Sequence, residues 1–156
     1  MKIEVNQPAP NFELHDTEKK VVTLSEQKGN NVLLLFFPLA FTTVCTVELC
    51  SVRDNIAIYD NANAKVFGIS VDSPQTLAKF KEYQHLNFPL LSDFNKEAST
   101  AFGCLHEVFS GWMKGVSKRS AFVVDKKGII QYAEVLENPG NVPNFAAINQ
   151  TLSLLF

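Results

Sequence analysis

Residues 32–37 read Val-Leu-Leu-Leu-Phe-Phe without a polar interruption, and Pro38 closes the run. An apolar run this short suits a β-strand covered on both faces, and Pro38 removes the next backbone donor. A strand of this kind demands neighbours in a sheet and a layer on each side of it. A second buried strand is expected at Val66–Val71. Between the two, Val44, Val47, Cys50/Ser51 and Ile58 recur at helical spacing, which predicts a helix over about 43–59 with Thr42 or Thr43 as N-cap.

The remaining segments extend the same plan. Short strands are expected at Asn11–Leu14 and Val21–Leu24, joined by a polar turn through Asp16–Lys20. Ser73-Pro74 opens a helix running to about His85, since proline suits a first helical turn. A strand at Phe88–Leu91 and a helix from Lys96 to Phe102, closed by Gly103, come next. Ala121–Val124 and Ile129–Val135 flank Asp125-Lys-Lys-Gly128 and predict a hairpin; a final helix spans about 144–154. The expectation is an α/β chain with a central mixed β-sheet flanked by helices on both faces, in the thioredoxin-like order. Neither a repeat nor a linker interrupts it, so residues 1–156 are expected to form one domain.

Composition narrows the function. Fourteen basic against sixteen acidic residues leave a net charge of −2, and Lys114, Lys118 and Arg119 form the densest basic group. That is too sparse for a nucleic-acid surface. Residues 1–10 lack the apolar core of a signal peptide, and the run Val32–Phe41 is too short and too interrupted to span a membrane. A cytoplasmic location is expected, where three cysteines suit catalysis, metal binding or packing better than a disulfide framework.

The chemistry-bearing stretch runs from Pro38 to Asp54, out of a central strand and into a helix. Ligands of open α/β sheets bind beyond the carboxyl ends of the strands. Cys45 falls in the first helical turn, where unpaired N–H groups and the positive end of the helix dipole favour a thiolate. Thr42 can bring its hydroxyl to the sulfur, and Pro38 can shield the pocket without adding a donor. From position alone, a reactive thiolate and a small buried hydrophobe both remain open for Cys45.

Pro38-x-x-x-Thr42-x-x-Cys45 resembles the active-site pattern of the peroxiredoxin family, and Lys118-Arg119-Ser-Ala-Phe-Val-Val-Asp125 resembles the family segment that carries its arginine. The likeness continues through Phe88-Pro-Leu-Leu-Ser-Asp93 and covers nearly the whole chain. Phe-Phe-Pro-Leu-Ala-Phe-Thr followed by Cys-Thr-x-Glu-Leu is most similar to the AhpE branch, whereas the Cys-x₄-Cys spacing is similar to the PrxQ branch. The resemblance implies a thiol-dependent peroxidase that reduces hydrogen peroxide and organic hydroperoxides. Cys45 is then the nucleophile, Thr42, Arg119 and Pro38 build its pocket, and Cys50 resolves the oxidised sulfur. An external dithiol such as thioredoxin or a glutaredoxin-like protein completes the cycle. It implies no metal or organic cofactor; its AhpE side implies a homodimer, and its PrxQ side permits a monomer.

Other roles stand beside these. Glu48 can hydrogen-bond the active-site arginine or be an ordinary first-turn carboxylate. Arg53 is read as a solvated helix face rather than a second site cation, Cys104 as packing, and Trp112 as a pocket wall or a surface residue. The rivals to peroxidase chemistry are a peroxiredoxin without an internal resolving cysteine, a non-catalytic thioredoxin-like scaffold, and a Cys₃His zinc site from Cys45, Cys50, Cys104 and His106. Against the zinc site, cysteines five apart on a helix point about 140° from one another.

Overall fold

The computed structural model describes residues 2–155. In chain order the elements are β1 (Glu13–Asp16), β2 (Val21–Thr23), β3 (Asn31–Phe36), α1 (Thr43–Asp54), α2 (Ile56–Asn61), β4 (Ala64–Ser70), α3 (Pro74–Tyr83), β5 (Leu90–Ser92), α4 (Glu97–Ala101), β6 (Ser120–Val124), β7 (Ile130–Val135) and α5 (Phe145–Ser153). The strands form one mixed sheet in the order β2-β1-β5-β4-β3-β6-β7. β3 runs parallel to β4 and antiparallel to β6, so it lies in the interior of the sheet. Every residue of β3 is buried, as an uninterrupted apolar run requires.

The pleat of β3 divides its side chains between two cores. Leu33 and Leu35, with Phe37 beyond the strand, face a layer built from α1, α2, α3 and α5, through Leu49, Tyr59, Phe80 and Ile148. Val32, Leu34 and Phe36 face the opposite layer, where Phe12, Leu24, Ala98 of α4 and Phe102 pack. Much of the phenylalanine content is spent here: Phe102 lies 5.5 Å from Phe36 and 5.0 Å from Phe122, centroid to centroid. These separations are within the favourable range for aromatic pairs.

Local chemistry sets the helix boundaries. The Ser73 side chain accepts from Thr76 N at 3.1 Å, with Pro74 next to it, and Asn144 caps α5 in the same way. The single helix expected over 43–59 is two. Asn55 interrupts it with φ −119° and ψ 25°, and its side-chain amide donates to Ser51 O at 2.8 Å. That local bond offers the backbone an alternative to the next helical turn.

The expected buried face of this helix also needs correction. Val47 and Ile58 are exposed, and the face against the sheet consists of Cys45, Glu48, Leu49 and Val52. A carboxylate in that face disguises the apolar period. The strand expected at 88–91 is observed as β5, and the first strand lies two residues later than its sequence suggests.

Candidate active site

The site forms at one end of the sheet, past the end of β3 and before the start of β6. β6 is antiparallel to β3, so the start of β6 lies beside the end of β3, with Ser120 opposite Phe36. Arg119, immediately before β6, is thereby brought to the Pro38 end of β3. Phe37 N still donates to Ile69 O at 2.9 Å, after which the chain leaves the sheet. Phe41 then takes a left-handed conformation (φ 65°), and Thr42 (φ −98°, ψ 153°) occupies the N-cap of α1.

Cys45 is the third residue of α1 and is 1% exposed. Arg119 Nη1 donates to its sulfur at 3.2 Å and to Glu48 Oε1 at 2.7 Å, while Nη2 donates to Pro139 O at 3.1 Å. Cys45 and Glu48, three apart on one helix face, thus share a single guanidinium nitrogen. Arg119 is 2% exposed and Glu48 1%, so the cluster has almost no water to screen it. Burial opposes the Arg119 charge, yet Glu48 and Cys45 hold its pKa above the ordinary guanidinium value. Burial pushes the Glu48 carboxyl up to about 7 against the pull of Arg119. Glu48 Oε2 and Arg119 Nε have no protein partner among the described residues.

Thr42, three residues before Cys45, is exposed; its hydroxyl donates to Leu39 O at 2.7 Å, and its side chain does not cap α1. Pro38, two residues past the end of β3, is buried. Cys50 belongs to the same uninterrupted helix as Cys45, and all three cysteines are free thiols. Its half-buried sulfur points to Gln84, with Sγ 3.5 Å from Oε1.

Arg53 departs from its expected solvated role. Its Nη1 donates to Gln84 O and its Nε to Asp54 Oδ1 at 2.9 Å, and Asn87 Nδ2 donates to Arg53 O at 3.2 Å. It fastens the far end of α1 to the segment after α3. Cys104 is fully buried in the core opposite Cys45, and burial pushes its thiol up to about 12. The Cys₃His set is therefore split by the sheet, and among the described residues no group of three or more His, Cys, Asp or Glu is placed to hold a metal. Trp112 is 75% exposed, which matches the surface role.

The sequence reading passed over two contributors. Pro139 O participates through its carbonyl, which leaves no trace in residue type. Asp72, just past β4, reaches Ala40 N with its carboxylate at 2.8 Å. Its position beyond the carboxyl end of a parallel strand was the available signal.

Comparison with known proteins identifies the family of the chain. The AhpC/TSA family model matches residues 5–133. The chain is 40% identical over 143 residues to alkyl hydroperoxide reductase E of Mycobacterium tuberculosis, covering 90% of each chain. It is 38% identical over 125 residues to peroxiredoxin Bcp of Escherichia coli, covering 80% of each. The solved structure of peroxidoxin BcpB from Mycobacterium tuberculosis superposes with a TM-score of 0.81 at 29% identity, over 97% of this chain and 95% of that one. This chain belongs to the AhpC/TSA family and is a thiol-dependent peroxidase of the peroxiredoxin type.

Proposed function

We propose that Cys45 is the nucleophile of this peroxidase, with Arg119, Thr42 and Pro38 forming its pocket and Glu48 orienting Arg119. The observation that carries the reading is the 3.2 Å contact from Arg119 Nη1 to Cys45 Sγ at a buried helix start. The Cys45 thiolate attacks the terminal oxygen of a hydroperoxide. An S–O bond forms as the O–O bond breaks, and two electrons pass from sulfur to the peroxide. The departing alkoxide takes a proton and leaves as the alcohol, or as water from hydrogen peroxide, and Cys45 becomes a sulfenic acid. Negative charge passes from sulfur to the leaving oxygen, beside Arg119 and the first N–H groups of α1. The Thr42 hydroxyl must leave Leu39 O to serve an arriving peroxide.

Cys50 then attacks the sulfenic sulfur, an S–S bond forms and water departs. An external dithiol, thioredoxin or a glutaredoxin-like protein, reduces the disulfide by exchange. The continuous α1 and the Cys50–Gln84 contact support a second reading, in which Cys45 has no internal resolving partner. The reading extends to a homodimer, as in the AhpE resemblance, and to the cytoplasm; sedimentation of the reduced protein tests the first.

Cys45→Ser is expected to abolish peroxide consumption, and Cys104→Ser to leave it nearly intact. Near-wild-type turnover by Cys45→Ser protein would refute the assignment. Peptide mapping after one equivalent of peroxide separates the two resolving schemes. A Cys45–Cys50 crosslink supports the first; dimedone-trapped sulfenic acid at Cys45 without a crosslink supports the second.

A further inference from the structure

We infer that Asp72 is a positioning residue for peroxide reduction, holding the 38–42 segment in the shape that places Thr42 and the start of α1. This inference rests on the peroxidase reading above. The segment has left the sheet after Phe37, and Pro38 has no N–H to anchor it. Among the described residues, two side chains from outside hydrogen-bond its backbone: Thr46 Oγ1, on α1 itself, donates to Thr42 O at 2.8 Å, and Asp72 Oδ2, from beyond β4, accepts from Ala40 N at 2.8 Å. The next residue, Phe41, holds φ 65°, a region disfavoured for a bulky side chain and occupied only when the surroundings impose it. Thr42, the N-cap, follows directly.

Asp72 is itself fixed from two sides. Ser70 Oγ donates to the same Oδ2 at 2.6 Å, and Ser92 Oγ donates to Asp72 O at 2.6 Å. Ser70 ends β4 and Ser92 ends β5, so the carboxylate is registered to two interior strands. Asp72 forms none of the salt bridges among the described residues. Its carboxylate is directed to a backbone amide and a hydroxyl, a use that suits orientation of the chain. The Phe41 ring adds a second brace, 5.1 Å from the Phe80 ring on α3. Asp72 touches no reacting atom; it acts through the loop.

The test is the second-order constant for oxidation of the reduced, full-length protein by hydrogen peroxide, at a temperature where each variant is folded. Asp72→Ala is expected to lower it at least tenfold. Asp72→Asn is expected to stay within about threefold of wild type, because its amide oxygen still accepts from Ala40 N and Ser70 Oγ. Ser92→Ala loosens the same corner without touching the Ala40 bond, and is expected to lower the melting temperature while lowering the constant by less than Asp72→Ala does. Asp72→Ser, whose hydroxyl stops short of Ala40 N, substitutes if the alanine variant does not fold, and the same tenfold loss is expected. Wild-type oxidation by the alanine or serine variant, an asparagine variant as slow as alanine, or an equal loss in Ser92→Ala would overturn the inference. Cys45→Ser run alongside keeps the two claims apart. Activity in that variant would sink the peroxidase reading, whereas its inactivity beside a fast Asp72→Ala would sink only the role of Asp72.

Discussion

Arg119 carries more of the site's electrostatics than any other residue, and its substitutions are the most informative. Arg119→Ala is expected to slow peroxide oxidation of Cys45 by about a hundredfold or more, read by stopped flow. Arg119→Lys restores only part, since one ammonium cannot reach Cys45, Glu48 and Pro139 O with the fixed fork that spans them. Glu48 makes a separate prediction. Its pKa is raised from 4.5 to about 7, so the folded protein holds a proton there that the unfolded chain releases. The stability from that proton is present in full below 4.5 and lost as pH rises through about 7. Wild-type melting temperature should therefore fall relative to Glu48→Gln between about pH 5 and 8. A constant difference across that range would show that Glu48 stays ionised in the fold. The Cys45–Arg119 pairing was accessible to the sequence only through the family resemblance, because the two are 74 positions apart. The burial of Glu48 was not legible, because carboxylates at a helix start are usually solvated.

Among the elements, α1 has two different ends. Its first five residues include Val44, Thr46 and Val47, all β-branched and weak helix formers. Its last turn is fastened by Arg53 to Gln84 O and by Asn87 to Arg53 O. Cysteines five apart on an intact helix lie about 8–9 Å apart at Cα, beyond the roughly 7 Å a disulfide tolerates. Resolution by Cys50 must therefore unwind α1 from its start. Hydrogen exchange is expected to show protection lost over 43–49 in the oxidised protein and kept near 52–54. Uniform protection in both states would leave Cys50 as a packing residue. The sequence located this helix from its spacing but misplaced its buried face and its end. Asn55 carries an ambiguous signal, and the choice between helix and cap depended on whether Ser51 O was within reach.

Over the whole molecule, the sheet separates two cores, and the proposed site belongs to one of them. Cys45 lies in the core of α1, α2, α3 and α5, while Phe12, Phe36, Phe102 and Phe122 fill the opposite face. Phe102 is fully buried, so Phe102→Ala is expected to cost about 3–5 kcal/mol of stability by denaturant titration. Its oxidation constant per folded molecule should be close to wild type. A large loss of that constant at full folding would mean that the two layers are coupled.

Sequence alone determined the buried strands, the approximate helices, the α/β order and the position of Cys45 at a helix start. Each of these follows from short-range chemistry: uninterrupted apolar runs, proline at strand and helix boundaries, and helical spacing. Tertiary structure decided which groups meet that cysteine. The antiparallel pairing of β6 with β3 brought Arg119 to it, and exclusion of water made one guanidinium shared by a thiol and a carboxyl. It also gave Asp72 and Pro139 their contacts, through a backbone amide and a carbonyl that every residue type carries. Contacts of that kind depend on where the chain passes, so residue identity does not announce them.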